Sequence, residues 1–535
     1  MRPVLALVLA LCPAVILGGC LAVGPDYHPP SFDAPSQFAQ AQGQAADQED
    51  AARGLAAAAW WRSFDDPILD ELVARALAAN LDLAQARARV GQARADMRIA
   101  RAALFPAVDV TGSSTTSANG LLDAGTGTSL AGSGTGGSGG SGSAGTGSTA
   151  VGTDNASTTT TTTTLFTAGF DAAWEIDIFG GRRREREAAR ATLEADIWDL
   201  EATRLTLLAE VAGNYMELRA AQEQLDIARR NLKSQEETVA VTRERFRLGL
   251  TSQLDVAQAE GQAASTAADP PRLAATVSQS IHRLGVLTGQ PPENLLALLG
   301  PSRPQPSLAG VVADAGLPAD LLARRPDLRR AERQLAAASA EIGAAVAELY
   351  PTFDLTAGLG LQGVSPSSVA GFSTWYWSVI PGVSWPLFDM GTARAGVDKK
   401  KALFDETLAA YRQAFHTALE DVENALASYY AESERRRRLA ASVAAYEQAR
   451  RLAEIRYGKG LTTFLDVLVI DAALYAAQTE LSQSEAALRV SLVSLYKALG
   501  GGWKAASGGG PETVPGPEAQ RRHGNPPPVA NGPAA

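Results

Sequence analysis

Residues 245–256 read R-F-R-L-G-L-T-S-Q-L-D-V and residues 456–467 read R-Y-G-K-G-L-T-T-F-L-D-V, two versions of one phrase set 211 residues apart. Each closes one long helical pattern and opens another, so each is expected to be the turn of a helical hairpin. Gly249 and Gly460 supply the left-handed backbone position that stops the first helix. Thr251 and Thr462 follow as hydroxyl N-cap candidates for the second helix. Asp255 and Asp466 stand in its first turn, where the helix dipole favours a carboxylate. A chain that repeats itself need not divide into the several domains that 535 residues would otherwise imply, because two equivalent halves can share one core.

The rest of the chain follows the duplication. Before the first tip, Leu193, Ile197, Leu200, Arg204, Leu207, Val211, Asn214, Leu218, Ala221, Leu225, Ala228 and Leu232 alternate steps of four and three. That 3.5-residue period marks a helix with a narrow seam, and roughly 65 residues at 1.5 Å each make it about 100 Å long. A returning helix is expected over 252–288, and in the second half long helices are expected over 391–458 and 462–499. Leu349-Tyr350-Pro351-Thr352-Phe353-Asp354-Leu355-Thr356 answers Leu104-Phe105-Pro106-Ala107-Val108-Asp109-Val110-Thr111 at an offset of 245, and Trp385 answers Trp174 at 211. The 34-residue difference falls in a Gly/Ser/Thr tract with seven threonines at 158–164. Its composition buries too little apolar area to fold alone, so it reads as an expanded loop. Around it the period changes to two, placing strands near 107–112, 165–175, 352–361 and 375–386, with the loop over 113–164.

The expected organisation is therefore a signal peptide at 1–19, an extended segment at 20–60, a first repeat at 61–300, a linker at 301–316, a second repeat at 317–502 and a disordered tail at 503–535. Met1-Arg2 followed by the apolar Val4–Leu17 run is too short to span a membrane and stay there. It ends in Leu17-Gly18-Gly19-Cys20, which resembles a bacterial lipoprotein signal with Cys20 as the lipidated residue; an ordinary signal peptide with an incidental cysteine is the alternative. Cys12 would leave with the signal, so no intramolecular disulfide is expected. The net charge of −10 and the lack of a basic aromatic cluster argue against nucleic acid. The four histidines are scattered without metal-ligand spacing, Gly180-Gly181-Arg182 lacks a phosphate-loop frame, and no cofactor or catalysis is expected. Arg182-Arg183-Arg184 and Arg435–Arg438 read as solvated helix faces.

Four strands cannot close a membrane barrel, which needs at least eight, and isolated long helices cannot cover a narrow seam. Both difficulties disappear if three chains share one barrel of twelve strands and one helical tube. Residues 375–385 (W-Y-W-S-V-I-P-G-V-S-W) place aromatics at both ends, as interfacial girdles require.

The L-G-G-C signal followed by V-G-P-D-Y, then W-W-x-x-F-x-D-P, W-E-I-D-I-F-G, R-R-P-D-L, L-Y-P-T-F-D-L, W-P-L-F-D-x-G and the two tips resemble the TolC-type outer-membrane efflux family. Within it they resemble the lipoprotein (NodT/OprM-like) branch that serves RND-type pumps. The resemblance runs from about Cys20 to Trp503. It implies a mixed α and β membrane protein, a homotrimer with a twelve-stranded β-barrel continuous with a long α-helical periplasmic barrel. It implies a periplasmic adaptor and an inner-membrane RND transporter as partners, and outer-membrane lipid around the barrel. Gly249, Leu250, Thr251, Gly460, Leu461 and Thr462 match the family's adaptor-docking turns. Asp466, with Tyr457, Arg456 and Asp255, matches its periplasmic gate, although the family's second aspartate falls here at Val469 and Asp471 lies two positions on. The exit duct of a type I secretion system and a lipid-anchored trimeric adhesin remain the alternatives.

Overall fold

A computed structural model describes residues 22–31, 35–36, 38–39, 59–121, 159–307, 324–371 and 374–501. The chain forms two units: a sheet unit from Arg101–Arg182 and Glu348–Met390, and a helical unit from Val23–Ala100, Arg183–Ala347 and the chain after Gly391.

The helical unit opens on a 3₁₀ turn, Trp60–Phe64, and α1, Pro67–Ala79. Asp66 caps α1, its carboxylate accepting the Ile68 N–H at 2.9 Å, and Pro67 occupies the first turn, where its missing N–H costs nothing. There follow α2 (Leu81–Ala102), α3 (Gly181–Arg247), α4 (Gln253–Thr266), α5 (Asp269–Leu287), α6 (Glu293–Leu299), α7 (Pro326–Ala347), α9 (Thr392–Gly458) and α10 (Phe464–Ala498), with the short α8 (Pro366–Ala370) in the sheet unit. Helices α3 and α9 each have 67 residues, about 100 Å at 1.5 Å per residue. None of the twelve heptad residues from Leu193 to Leu232 is exposed, so the seam faces packed neighbours. The core draws on both halves: Trp60, Phe64, Leu72, Leu208, Tyr215 and Leu284 join Phe415, Leu492 and Tyr496, and Trp60 stacks on Tyr496 at 4.9 Å.

Two expectations are corrected here. The return limb expected at 252–288 is broken between α4 and α5, because Pro270 and Pro271 cannot donate to the preceding turn. The second limb, α10, runs unbroken for 35 residues. Nor is Arg184 a solvated residue: it is buried, its guanidinium bonded to Asp26 at 2.7 Å, Glu187 at 2.8 Å and the Val23 carbonyl at 3.2 Å. Its Cγ and Cδ lie where a side chain on Gly343 would stand, and Gly24 packs on the same glycine. Tyr27 reaches Glu332 at 3.3 Å, so the V-G-P-D-Y segment lies against α3 and α7. Arg437 and Arg438, by contrast, are exposed and pair with Glu434 on their own helix.

The sheet unit is a four-stranded antiparallel sheet in the order β1 (Ala107–Leu121), β2 (Thr159–Glu175), β3 (Thr352–Gly363), β4 (Trp375–Ser384). The loop expected at 113–164 is narrower: 113–121 and 159–164 are paired strand, from Ser113↔Thr167 to Leu121↔Thr159. Thr–Thr and Ser–Thr pairs suit a ladder whose bonds come from the backbone, and β-branched threonine fits the pleat. The register gives the sheet two unlike faces. One carries Val108, Val110, Phe170, Trp174, Leu355, Leu359, Trp377, Val379 and Val383; the other carries Asp109, Thr111, Thr167, Asp171, Asp354, Thr356, Gln362, Tyr376 and Ser378. The Trp174 Nε1–H donates to the Leu104 carbonyl at 3.2 Å, and the Trp385 Nε1–H to the Leu349 carbonyl at 3.2 Å, one bond made twice. No helix among the described residues is long and apolar enough to cross a membrane.

Candidate functional site at the hairpin tips

Helix α3 ends at the first tip and α9 at the second, by the same device. Gly249 has φ 73° and donates to the Phe246 carbonyl at 2.9 Å, while Leu250 N–H reaches back to Arg245 at 2.8 Å. Gly460 has φ 69°, donates to Tyr457 at 3.0 Å, and Leu461 N–H reaches Arg456 at 2.9 Å. Each pair of bonds satisfies carbonyls that the helix end would leave orphaned.

The caps sit one residue later than expected. Ser252 caps α4, accepting the Asp255 N–H at 3.2 Å, and Thr463 stands at the cap of α10. Thr251 and Thr462 instead donate their hydroxyls to the carboxylates of Asp255 and Asp466. Those carboxylates also accept the backbone N–H of Ser252 at 3.1 Å and of Thr463 at 3.0 Å. The Thr251 hydroxyl above all, then the Ser252 N–H, holds Asp255 below the usual carboxylate range. Asp466 is held low by the hydroxyls of Thr462 and Thr463 and the Thr463 N–H, with the Arg456 charge a minor contributor. Both acids are ionised at neutral pH and committed to the turn.

What the turns do not use is apolar. Leu250 and Leu461 are 63% and 64% exposed, and Leu248, Leu254 and Leu465 stand bare beside them. These leucines take no part in capping and leave an exposed apolar patch at each turn.

Behind the tips the two hairpins touch. Phe464, the first residue of α10, is buried with Val239 of α3 and Ala259 of α4, and its ring meets that of Tyr457 at 5.5 Å. Across the same junction Arg245 lays its guanidinium over the Tyr457 ring, 4.5 Å from the centroid. Sequence reasoning picked out Tyr457 and Arg456 and passed over Arg245, although Arg245 opens the repeated phrase as Arg456 does. About two turns further back, Arg450 binds Ser234 of α3 at 2.5 Å and Asp471 of α10 at 3.0 Å. Asp471 is buried; burial raises its pKa and Arg450 opposes the rise. Asp466 is exposed and Asp471 is not, so the two acids do not share a face. Val469 is exposed on the Asp466 side of α10. Cys20 lies outside the described residues. Among those described, no group of histidine, cysteine and acidic residues could hold a metal ion.

A family model described as outer membrane efflux protein matches residues 72–290 and 317–501. Nodulation protein T of Rhizobium leguminosarum bv. trifolii is 30% identical over 499 residues, which cover 93% of this chain and 97% of that protein. The pyoverdine export outer membrane protein OpmQ of Pseudomonas aeruginosa is 34% identical over 500 residues, covering 93% and 97%. The solved structure of the outer-membrane channel OprN matches with a TM-score of 0.79 at 33% identity, over 90% of this chain and 99% of that one.

Proposed function

Given that this chain belongs to the outer membrane efflux protein family, we propose that three copies of it close one channel through the outer membrane and periplasm. The protein is an outer-membrane efflux component, and its family is one of transport proteins. The observation that carries the trimer is the sheet itself: four strands with one apolar face, one face that is polar but for Leu165 and Ile380, and two open edges. Three such sheets supply twelve strands, apolar side to lipid and polar side to the passage, with Trp375, Trp377 and Trp385 at the two interfaces. The long helices continue the barrel as a tube. The two repeats then occupy 61–300 and 317–502, and Cys20 carries the lipid anchor.

In this reading the channel conducts passively what an inner-membrane RND transporter delivers through a periplasmic adaptor. Gly249, Leu250, Thr251, Gly460, Leu461 and Thr462 form the docking turns, and the bare leucines are the contact. Asp466, with Arg456, Tyr457 and Asp255, forms the periplasmic narrowing in this reading, and the contact of Arg245 with the Tyr457 ring supports including Arg245. The test is a strain lacking the gene, complemented with wild type or with Leu250→Ser/Leu461→Ser. Wild type restores drug resistance; the tip variant forms channels of unchanged conductance in planar bilayers yet restores none. Susceptibility that does not change on deletion refutes the efflux assignment for those compounds, and full rescue by the variant removes the leucines from docking. Asp466→Ala is expected to change conductance or cation preference; no change in either removes Asp466 from the gate.

A further inference from the structure

Residues 300–307, G-P-S-R-P-Q-P-S, follow α6 and are held from two sides. From α3, the fully buried Arg219 donates to the Pro301 carbonyl at 3.1 Å and Gln222 to the Leu299 carbonyl at 2.6 Å. The Ser302 hydroxyl donates to Asp226 at 2.6 Å, and the Gln305 amide donates to Glu223. From α10, Arg489 donates to the Pro306 carbonyl at 2.8 Å and to Gln305 Oε1 at 2.7 Å. Proline suits such a strap, because it has no N–H to leave unpaired and its fixed φ lowers the cost of ordering.

The 211-residue shift that relates the two helical hairpins continues past them. It carries Pro304 and Pro306 onto Pro515 and Pro517, and the whole strap onto 511–518, P-E-T-V-P-G-P-E. That segment lies outside the described residues, and the match to the family ends before it, at residue 501. The same shift carries the α3 stretch that holds the strap, 219–226, onto 430–437 of α9. None of residues 219–226 is exposed, whereas Ala431 and all of 434–437 are.

Charge changes in step on both partners. On α3 the slot carries Glu223 and Asp226, and the strap upon it has Arg303 and no acid. On α9, Arg437 stands where α3 has Asp226, within the run Arg435–Arg438, and the shifted segment has Glu512 and Glu518 and no base. The run is not neutralised by its own helix. Arg437 and Arg438 share the single carboxylate of Glu434, and Arg435 reaches Glu432 at 3.6 Å and Glu480 at 3.9 Å. Arg436 makes no ion pair among the described residues.

We infer that residues 511–518 dock along α9 of their own chain at 430–438, as residues 300–307 dock along α3, with Glu512 and Glu518 on the arginine run. The shift gives the position and the charges give the fit, and neither depends on the channel reading. One exposed ion pair contributes little, so the segment is held by several together on a backbone that two prolines already restrict. The second long helix then carries a strap at the same level as the first.

The test uses full-length protein in detergent and a glutamate-specific protease, whose sites in the segment are Glu512 and Glu518, beside a synthetic peptide of residues 508–522. The protease acts on the undocked fraction, so cleavage at low salt is expected to be about tenfold slower in the protein than in the peptide. Protection should vanish at about 1 M salt, where the Debye length is about 3 Å, and in Arg435→Gln/Arg436→Gln/Arg437→Gln. Arg436→Gln alone leaves the helix's own ion pairs intact and should speed cleavage less. Thr513→Cys/Arg437→Cys, the counterparts of Ser302 and Asp226, should oxidise to a disulfide within one chain, read by peptide mass spectrometry. Cleavage at the peptide's rate in low salt overturns the docking, and protection that survives in both arginine variants removes the run as its site. A disulfide that forms only between chains places the segment on a neighbouring copy and overturns the assignment to its own chain.

Discussion

Replacing Phe464 by alanine measures how firmly the two hairpins hold each other behind their tips. The side chain is 3% exposed, enclosed by Val239, Ala259 and Tyr457. An aromatic side chain that buries roughly 150 Å² at about 25 cal/mol per Å² accounts for nearly 4 kcal/mol, and phenylalanine-to-alanine changes in cores cost about 3–5 kcal/mol. The exposed turn lies next to the site, so its walls can close in, and the lower figure of about 3 kcal/mol is expected. At about 1.4 kcal/mol per decade this is roughly a hundredfold faster local opening. Hydrogen exchange followed by mass spectrometry on the detergent-purified full chain reads it at amides 468–471 and around Val239. Phe464→Leu should give a smaller rise, and Gln253→Ala, the equivalent position in the first repeat, none at all. A change of less than threefold in Phe464→Ala would mean that the contact does not join the hairpins and that the two tips move independently.

Two further outcomes follow from the same geometry. Gly249 and Gly289 both have positive φ, but a Cβ on Gly249 meets nothing within 4 Å whereas one on Gly289 lies 2.3 Å from the Ala79 carbonyl oxygen. Gly249→Ala should therefore cost only the left-handed strain of about 1–2 kcal/mol, and Gly289→Ala should lower the thermal midpoint by circular dichroism several times further; equal shifts would refute this. The carboxyls of Asp255 and Asp466 are held below the ordinary value of 3.8, so their stabilising bonds are fully present above that value and are lost as pH falls through the lower folded one. A spin label at Leu461→Cys should keep its mobility from pH 7 to about 4 and loosen below, and loosening between pH 7 and 5 would contradict the assignment.

Much of the design can be read in the letters, and the failures have local reasons. The tips, the heptad seam and the tryptophan-to-tryptophan equivalence are carried by glycine, periodicity and repetition, all of which act over one or two turns. The caps were misplaced by one residue because hydroxyls occupy both candidate positions at each tip, and backbone geometry decides which one caps. The strand extension at 113–121 and 159–164 was hidden because a ladder needs backbone groups and no apolar side chains. Arg184 is buried by the grace of Asp26, 158 positions earlier, and Arg245 finds its ring 212 positions later on Tyr457; no local pattern announces such partners. The break before Pro270-Pro271 had a legible signal of its own, since two adjacent prolines cannot lie beyond the first turn of a helix.

That break makes the two hairpins different mechanical parts. The first returns through a joint at Ala267-Ala268, where the prolines leave carbonyls of the preceding turn without a helical donor, so a sideways load on its tip can be absorbed by bending there. The second returns as one rod of 35 residues, from Phe464 to Ala498. A rod does not bend locally: a displacement of its tip must swing its far end, where Gly500 packs against Arg324 and Arg325 and the Ala498 carbonyl is held by the buried Arg325 at 3.0 Å. One hairpin works as a spring and the other as a lever, and whatever pushes on the second tip is felt some 50 Å away.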